Sequence, residues 1–354
     1  MKTAGVANVS QTAEFDEIID VRTPAEFAED HVPGAVNCPV LSNEERARVG
    51  TLYKQDSPFA ARKLGAVLVA RRIAEQVETS FLDRPREWKP LVYCWRGGKR
   101  SGAMAHVLRQ IGWPACALDG GYKSYRRHVV AELAELPRRF DFRVITGATG
   151  SGKSRLLEAL AARGAQALDL EALAAHKGSV LGGLPDAAQP SQKMFESRLL
   201  AVLNGLASER PVFVEAESRK IGQLQVPDAL LDAMRASPCL VIEATDAARV
   251  AFLLGDYGHF LANPAGLKEK LAWLRELQSG ETLARWNAFV DAGDWPALVG
   301  ELLAQHYDPL YRRSLGKNYV HFAGAPRFAA DDLSAAGLAE LASRVLAGAA
   351  TATP

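Results

Sequence analysis

Short apolar runs and helix-spaced apolar positions take turns along the first 140 residues. FDEIIDVR and PLVYCW read as strands, whereas the stretch from Ser42 to about Gln76 and the segment SGAMAHVLRQIGW carry helical spacing. That order predicts a small α/β domain around a parallel sheet. ELPRRF then interrupts the pattern with a proline and two arginines, which places a boundary at about residues 136–141 and gives domains 1–137 and 138–354.

A second α/β pattern opens with the strand FRVITG. A glycine-rich turn, a helix from Lys153 to Ala162 and two further apolar strands, PVFVEAES and PCLVIEAT, follow it, as in a doubly wound nucleotide-binding fold. The last hundred residues carry mainly helical spacing, in GLKEKLAWLRELQSG and ALVGELLAQHYDPLYRRS, and are predicted to cover the second sheet. The small, polar tail AGAATATP reads as disordered.

Composition adds limits rather than identity. The chain has 354 residues, 48% hydrophobic and 23% charged, which suits two ordinary cores. No run approaches the ~20 apolar residues of a membrane-spanning helix, and the start lacks the parts of a signal peptide, so a cytoplasmic protein without a membrane partner is expected. Cys38, Cys94, Cys116 and Cys239 lie far apart without CxxC or Cys/His ligand spacing, which argues against structural disulfides and a zinc site. A net charge of +1 means that any nucleic acid must be held by local patches.

Two loops carry the candidate chemistry. GATGSGKS, residues 147–154, fits GxxxxGK[ST] between an apolar strand and a helix. In such a loop Gly147, Gly150, Ser151 and Gly152 let the backbone wrap phosphate oxygens, Lys153 reaches the outer phosphate and Ser154 can ligate Mg²⁺, so a diphosphate or triphosphate ligand is implied. Glu215 and Glu217 end the strand PVFVEAES, where these folds place a metal-orienting carboxylate, usually Asp; a solvated strand end is the competing reading.

Cys94 ends the strand LVYC and precedes WRGGKRS and a helix. Helix-terminal amides with Arg96, Lys99 and Arg100 would favour its thiolate, and Gly97 and Gly98 suit a loop that cradles an anion or a sulfur-bound chalcogen. Cys38, Cys116 and Cys239 lack such a loop and read as inert core residues. Trp95, beside the cysteine, can stack on a base or fill a core.

IIDVRTPAEFAEDHVPGAVNCP, YCWRGGKRSGAMA and LDGGYKSYR resemble the opening, active-loop and closing segments of rhodanese modules over about residues 15–127. The resemblance implies carriage of sulfur or selenium on Cys94. The C-x5-R spacing from Cys94 to Arg100 departs from sulfur carriers and is like that of related phosphatases, which suits selenophosphate and also keeps a phosphatase reading open.

A rhodanese module followed by a P-loop domain is similar to the tRNA 2-selenouridine synthase family, and LDLEALAAHKGS, QPSQKMFES, VFVEAESRKIG and DYGHFLANP look like that family's stretches. The fold implied is an N-terminal rhodanese-like parallel-sheet domain followed by a P-loop NTPase-like α/β domain with a mainly helical C-terminal part. The implied reaction converts wobble-position 2-thiouridine of tRNA to 2-selenouridine through S-geranyl-2-thiouridine, with geranyl diphosphate and selenophosphate as substrates. No tightly bound cofactor or resident metal is expected, with Mg²⁺ left open. The implied partners are tRNAs for Lys, Glu and Gln and an enzyme that supplies selenophosphate.

Lys123, Arg126 and Arg127, Arg219 and Lys220, and Arg312, Arg313 and Lys317 are candidate phosphate-tracking positions, each also readable as solvated surface. His176, His259 and His306 read as structural. Two other functions remain open: an ATP-linked tRNA sulfurtransferase, and a non-catalytic nucleotide-sensing module that binds RNA or protein.

Overall fold

The computed structural model describes residues 5–179, 181–183 and 187–351, with the side chains of His259, Phe260, Ser314 and residues 349–351 outside the described set. Two compact units are present, Met1–Glu132 with Pro190–Ala201, and Leu133–Gln189 with Val202–Pro354.

The first unit is built on a five-stranded parallel sheet. Its strands are β1 (Val6–Ala7), β2 (Glu17–Asp20), β3 (Val36–Asn37), β4 (Pro90–Tyr93) and β5 (Cys116–Leu118), in the order β1-β5-β4-β2-β3. Helix α1 (Pro24–Glu29) starts at a Thr23 capping box with proline in its first turn. The helical run from Ser42 is two helices, α2 (Asn43–Gln55) and α3 (Pro58–Gln76), because Ser57 caps a new start and Pro58 cannot continue the old one. Helices α4 (Lys99–Ile111) and α5 (Gly121–Glu135) follow β4 and β5. Ile19, Val21, Val92, Met104 and Leu108 form the buried centre, so the end of β4 is held rigidly where it delivers Cys94.

The second unit has its own parallel sheet of β6 (Phe142–Gly147), β7 (Gln166–Leu168), β8 (Val212–Glu215), β11 (Cys239–Glu243) and β12 (Arg327–Ala329), in the order β12-β11-β6-β8-β7. A small antiparallel pair, β9 (Lys220–Ile221) and β10 (Leu224–Gln225), follows β8. Strand β6 is buried along its whole length and feeds α6 (Lys153–Ala161) through the glycine-rich turn. Helices α7 (Leu170–Ala174) and α9 (Asp228–Arg235) lie between the strands in the chain, and α10 (Asp246–Asp256) follows β11; α8 (Gln192–Asn204), between β7 and β8 in sequence, belongs as far as Ala201 to the first unit.

Beyond α10 the chain departs from expectation in three places. Helices α12 (Pro264–Ala272), α13 (Gly280–Ala292) and α14 (Trp295–Leu302), after the short α11 (Gly258–Leu261), have a core of their own around Leu271, Trp286 and Leu298 instead of lying over the sheet. After α15 (Asp308–Asn318), β12 adds an edge strand that three residues are too few to announce by alternation. Finally, the tail is not disordered as far as Thr351. Helix α16 (Ala335–Thr351) runs through it because Leu341, Ala342 and Val345 are buried against Leu156, Leu160 and Ile242; residues 352–354 lie outside the described ones.

Candidate functional site

In the first unit Cys94 sits immediately after β4, 4% exposed, with α4 starting five residues later. The Ser101 hydroxyl donates to its sulfur at 3.2 Å. Burial pushes the thiol up, but the Ser101 hydroxyl and amide, the Arg100 charge and the Gly98 amide outweigh it and hold Cys94 below the ordinary thiol range. Burial has the opposite outcome at Cys38 and Cys239, both pushed up to about 11. Of these three, only Cys94 has paired glycines between the strand end and the helix that follows.

The loop is clamped by the segment that opens α5. The Tyr122 amide donates to the Cys94 carbonyl at 2.8 Å and the Lys123 amide to that of Trp95 at 3.0 Å. Gly121, at φ +56°, admits this approach: a Cβ there would lie 2.2 Å from the Cys94 oxygen and 2.3 Å from the Gly97 nitrogen. Below the loop the buried Arg22 guanidinium is paired with Asp20 and lies 4.0 Å from the Tyr122 ring centroid, while the Tyr122 hydroxyl donates to Asp30 at 2.7 Å. Trp95, Arg96, Gly98 and Lys99 are exposed, and the Trp95 ring stands 5.2 Å from that of Tyr122. Arg100 is half-buried and pairs with Glu26 at 3.0 Å.

In the second unit the glycine-rich turn opens on a cavity of about 560 Å³ lined by Gly150, Gly152, Lys153 and Ser154 together with Glu171, Glu215 and Glu217. Gly152 takes a left-handed conformation, φ +75°, just before α6, and leaves the helix start uncapped by any side chain, so its amides remain for an anion. Lys153 Nζ donates to the Gly147 carbonyl at 3.0 Å and lies 5.5 Å from the Tyr311 ring centroid. The Gly147 amide donates to the Tyr311 hydroxyl at 2.6 Å. Arg249, 3% exposed, donates through Nε to the Thr149 carbonyl at 2.9 Å and pairs with Asp246 and Asp308, which braces the turn from α10 and α15.

One oxygen from each of Glu171, Glu215 and Glu217 lies within 4.8 Å of the others, and Ser154 donates to Glu171 at 3.2 Å. Burial pushes all three carboxyls up, Glu171 to about 8, against the opposing charge of Lys153; repulsion within the cluster adds to the rise at Glu171 and Glu217, and repulsion from Asp169 and Glu158 to that at Glu215. Glu215 is 5% exposed and its Oε1 has no hydrogen-bond partner. A Cβ at Gly178 would fill the space 2.5 Å from Glu171 Oε1. This oxygen-only donor set beside Ser154 fits a hard divalent cation such as Mg²⁺.

Glu215 and Glu217 are thus drawn together by the fold, and the solvated strand end does not describe the buried Glu215. Glu171 was not singled out in the sequence, although it lies in LDLEALAAHKGS; a carboxylate just after a strand end was the available signal. Of the basic candidates, Lys123, Arg127, Arg219, Lys220, Arg312, Arg313 and Lys317 are exposed, Arg219 in a surface pair with the exposed Asp228, whereas the half-buried Arg126 is held by Glu196. His176 lines the cavity and His306 is buried beside Gln278.

A second cavity of about 70 Å³ lies beside the first, sharing Thr149, Ser179, Leu253, Tyr257 and Tyr307 with it. The rest of its lining is hydrocarbon except the Trp295 ring, and comes mainly from α10 and α14.

Residues 6–128 match the model of the rhodanese-like domain, and residues 140–275 that of the tRNA 2-selenouridine synthase AAA domain. The chain is 36% identical over 352 residues to a tRNA 2-selenouridine synthase of Bdellovibrio bacteriovorus, covering 86% of this chain and 90% of that protein. It is 32% identical to the protein so named in Alcanivorax borkumensis, covering 85% and 90%. With the one from Nitrosomonas europaea it shares 38% identity, covering 72% of this chain and 66% of that relative's length. No helix among the described residues is long and apolar enough to cross a membrane.

Proposed function

Because the chain belongs to the tRNA 2-selenouridine synthase family, we propose that it remakes wobble-position 2-thiouridine of tRNA as 2-selenouridine, through an S-geranyl intermediate and with selenophosphate as selenium donor. The observation that carries the geranyl step is the apolar slot beside the phosphate cavity. A nucleotide base would need polar partners there, whereas an isoprenoid diphosphate needs a phosphate cradle continuous with hydrocarbon.

In this reading Gly147, Gly150, Ser151, Gly152, Lys153 and Ser154 hold the diphosphate. The thiocarbonyl sulfur attacks the allylic carbon, a C–S bond forms as the C–O bond breaks, and Lys153 neutralises the departing diphosphate. Glu171, Glu215 and Glu217 with Ser154 would hold Mg²⁺, which supplies further charge neutralisation when bound. Geranylation turns the sulfur into a better leaving group, a neutral thiol. The thiolate-favouring loop around Cys94 suits a residue that carries or guides the incoming selenium.

The substrates are wobble-thiolated tRNAs for Lys, Glu and Gln in the cytoplasm, with phosphates tracked by the exposed Lys123, Arg127, Arg219, Lys220, Arg312, Arg313 and Lys317. Arg126, already paired with Glu196 in a half-buried setting, contributes less to that field, whereas the surface pair of Arg219 with Asp228 is weak.

The test is mass spectrometry of wobble nucleosides after incubation of the protein with 2-thiouridine tRNA, geranyl diphosphate and selenophosphate, each donor omitted in turn. S-Geranyl-2-thiouridine without selenophosphate and 2-selenouridine with both donors support the reading. Unchanged 2-thiouridine refutes it.

A further inference from the structure

The geometry points to the slot between α10 and α14 as the ruler that selects the donor's chain length, with Trp295, Val299 and Leu302 as specificity-determining residues. The inference rests on the prenyl-donor reading above and goes beyond it by assigning the wall against which the tail ends.

Three observations carry it. Thr149 belongs to the phosphate loop and lines both cavities, so a ligand whose head lies in the cradle can pass its tail into the slot without leaving the protein. Past the shared residues the wall is formed by Leu254, Leu267, Trp295, Leu298, Leu302 and Leu303 among others, with no charged side chain, which suits hydrocarbon only. Its floor does not yield, since Leu267, Leu298 and Leu302 are 2–5% exposed and packed in the cluster around Trp286 and Leu271.

Size sets the register. A dry apolar cavity of about 150 Å³ accepts the six carbons of benzene, so about 70 Å³ suits about three carbons, the branched dimethyl end of one prenyl chain and no more. With the diphosphate and the rest of a ten-carbon chain in the larger cavity, the branched end of the second unit fills the slot. A ten-carbon donor therefore fits, a five-carbon donor leaves the slot empty, and a fifteen-carbon donor meets the floor.

The experiment is titration calorimetry on the full chain without tRNA, using dimethylallyl, geranyl and farnesyl diphosphates, inorganic diphosphate and ATP. Geranyl diphosphate should bind at least about 10²-fold tighter than dimethylallyl diphosphate, given that a single methylene changes binding by roughly 10- to 200-fold, and tighter than farnesyl diphosphate. Val299→Phe narrows the slot at a half-buried position outside the packed cluster. It should bring geranyl down to the dimethylallyl level with inorganic diphosphate binding unchanged. Trp295→Ala opens the slot and should raise farnesyl relative to geranyl, and it decides the matter if the first variant does not fold. Unchanged chain-length ranking in a folded variant that still binds geranyl diphosphate overturns the ruler and leaves the donor reading standing. A wild-type chain that binds ATP but no prenyl diphosphate overturns both.

Discussion

The Ser101 hydroxyl lies 3.2 Å from the Cys94 sulfur and donates to it, from the first turn of the helix that starts beside that cysteine. One helix start thus supplies both a side-chain donor and backbone amides to a buried thiol. Ser101→Ala should raise the Cys94 pKa and shift the rise of thiolate reactivity to higher pH. A charge-assisted hydrogen bond of about 1.5 kcal/mol corresponds to roughly tenfold slower alkylation near neutral pH. The check is the pH profile of iodoacetamide labelling at Cys94, and an unshifted profile would show that the backbone and Arg100 suffice.

Gly121→Ala forces a Cβ against the Cys94 carbonyl and the Gly97 amide at a left-handed position. A loss of roughly 2–4 kcal/mol in stability is expected, with faster, less selective labelling of Cys94 as the loop opens. Denaturant melts and the same labelling assay measure both effects.

Lys153→Ala removes the cation from the phosphate cradle. Geranyl transfer to 2-thiouridine tRNA should fall by about 10²-fold or more. The melting temperature should fall more at pH 8 than at pH 5, since the Lys153 ammonium also offsets the ionised forms of Glu171, Glu215 and Glu217. Geranylation at the wild-type rate would remove Lys153 from the reaction.

The carboxylate cluster makes stability depend on pH and on divalent cation. The Glu171 carboxyl moves from 4.5 to about 8 on folding, and Glu215 and Glu217 also move up. The folded state therefore holds more protons than the unfolded state in this range, and stability in the absence of metal falls as pH rises from about 4.5 to 8. Mg²⁺ should reverse part of that fall at pH 8, and Glu217→Gln should flatten it. Melting temperatures with EDTA and with Mg²⁺ across the range decide; a pH-independent melt excludes the coupling.

Arg249 is buried and ties the Thr149 carbonyl to Asp308. Asp308→Asn leaves that guanidinium short of a counter-charge, at a cost of about 3 kcal/mol. Looser binding of inorganic diphosphate should accompany it, because Thr149 lies within the phosphate loop. Calorimetry and thermal melts on the same variant separate the two losses.

The local features of both sites could be read from the chain because their signals are short in sequence. A strand end, glycines and a helix start within eight residues identify the phosphate loop, and the same arrangement distinguishes Cys94 from Cys38 and Cys239. Strand and helix periods likewise announced two α/β patterns, including β4, β6, β8 and β11. Only the tertiary structure decided what stands opposite these loops. Glu171 meets Glu215 and Glu217 because β7 and β8 are paired neighbours, Tyr311 and Arg249 reach the phosphate loop from helices far along the chain, and the apolar slot exists only where α10 faces α14. Such contacts depend on sheet order and helix packing, which are long-range outcomes of burying apolar surface; periodicity within one segment reports which face is buried and not which distant segment buries it.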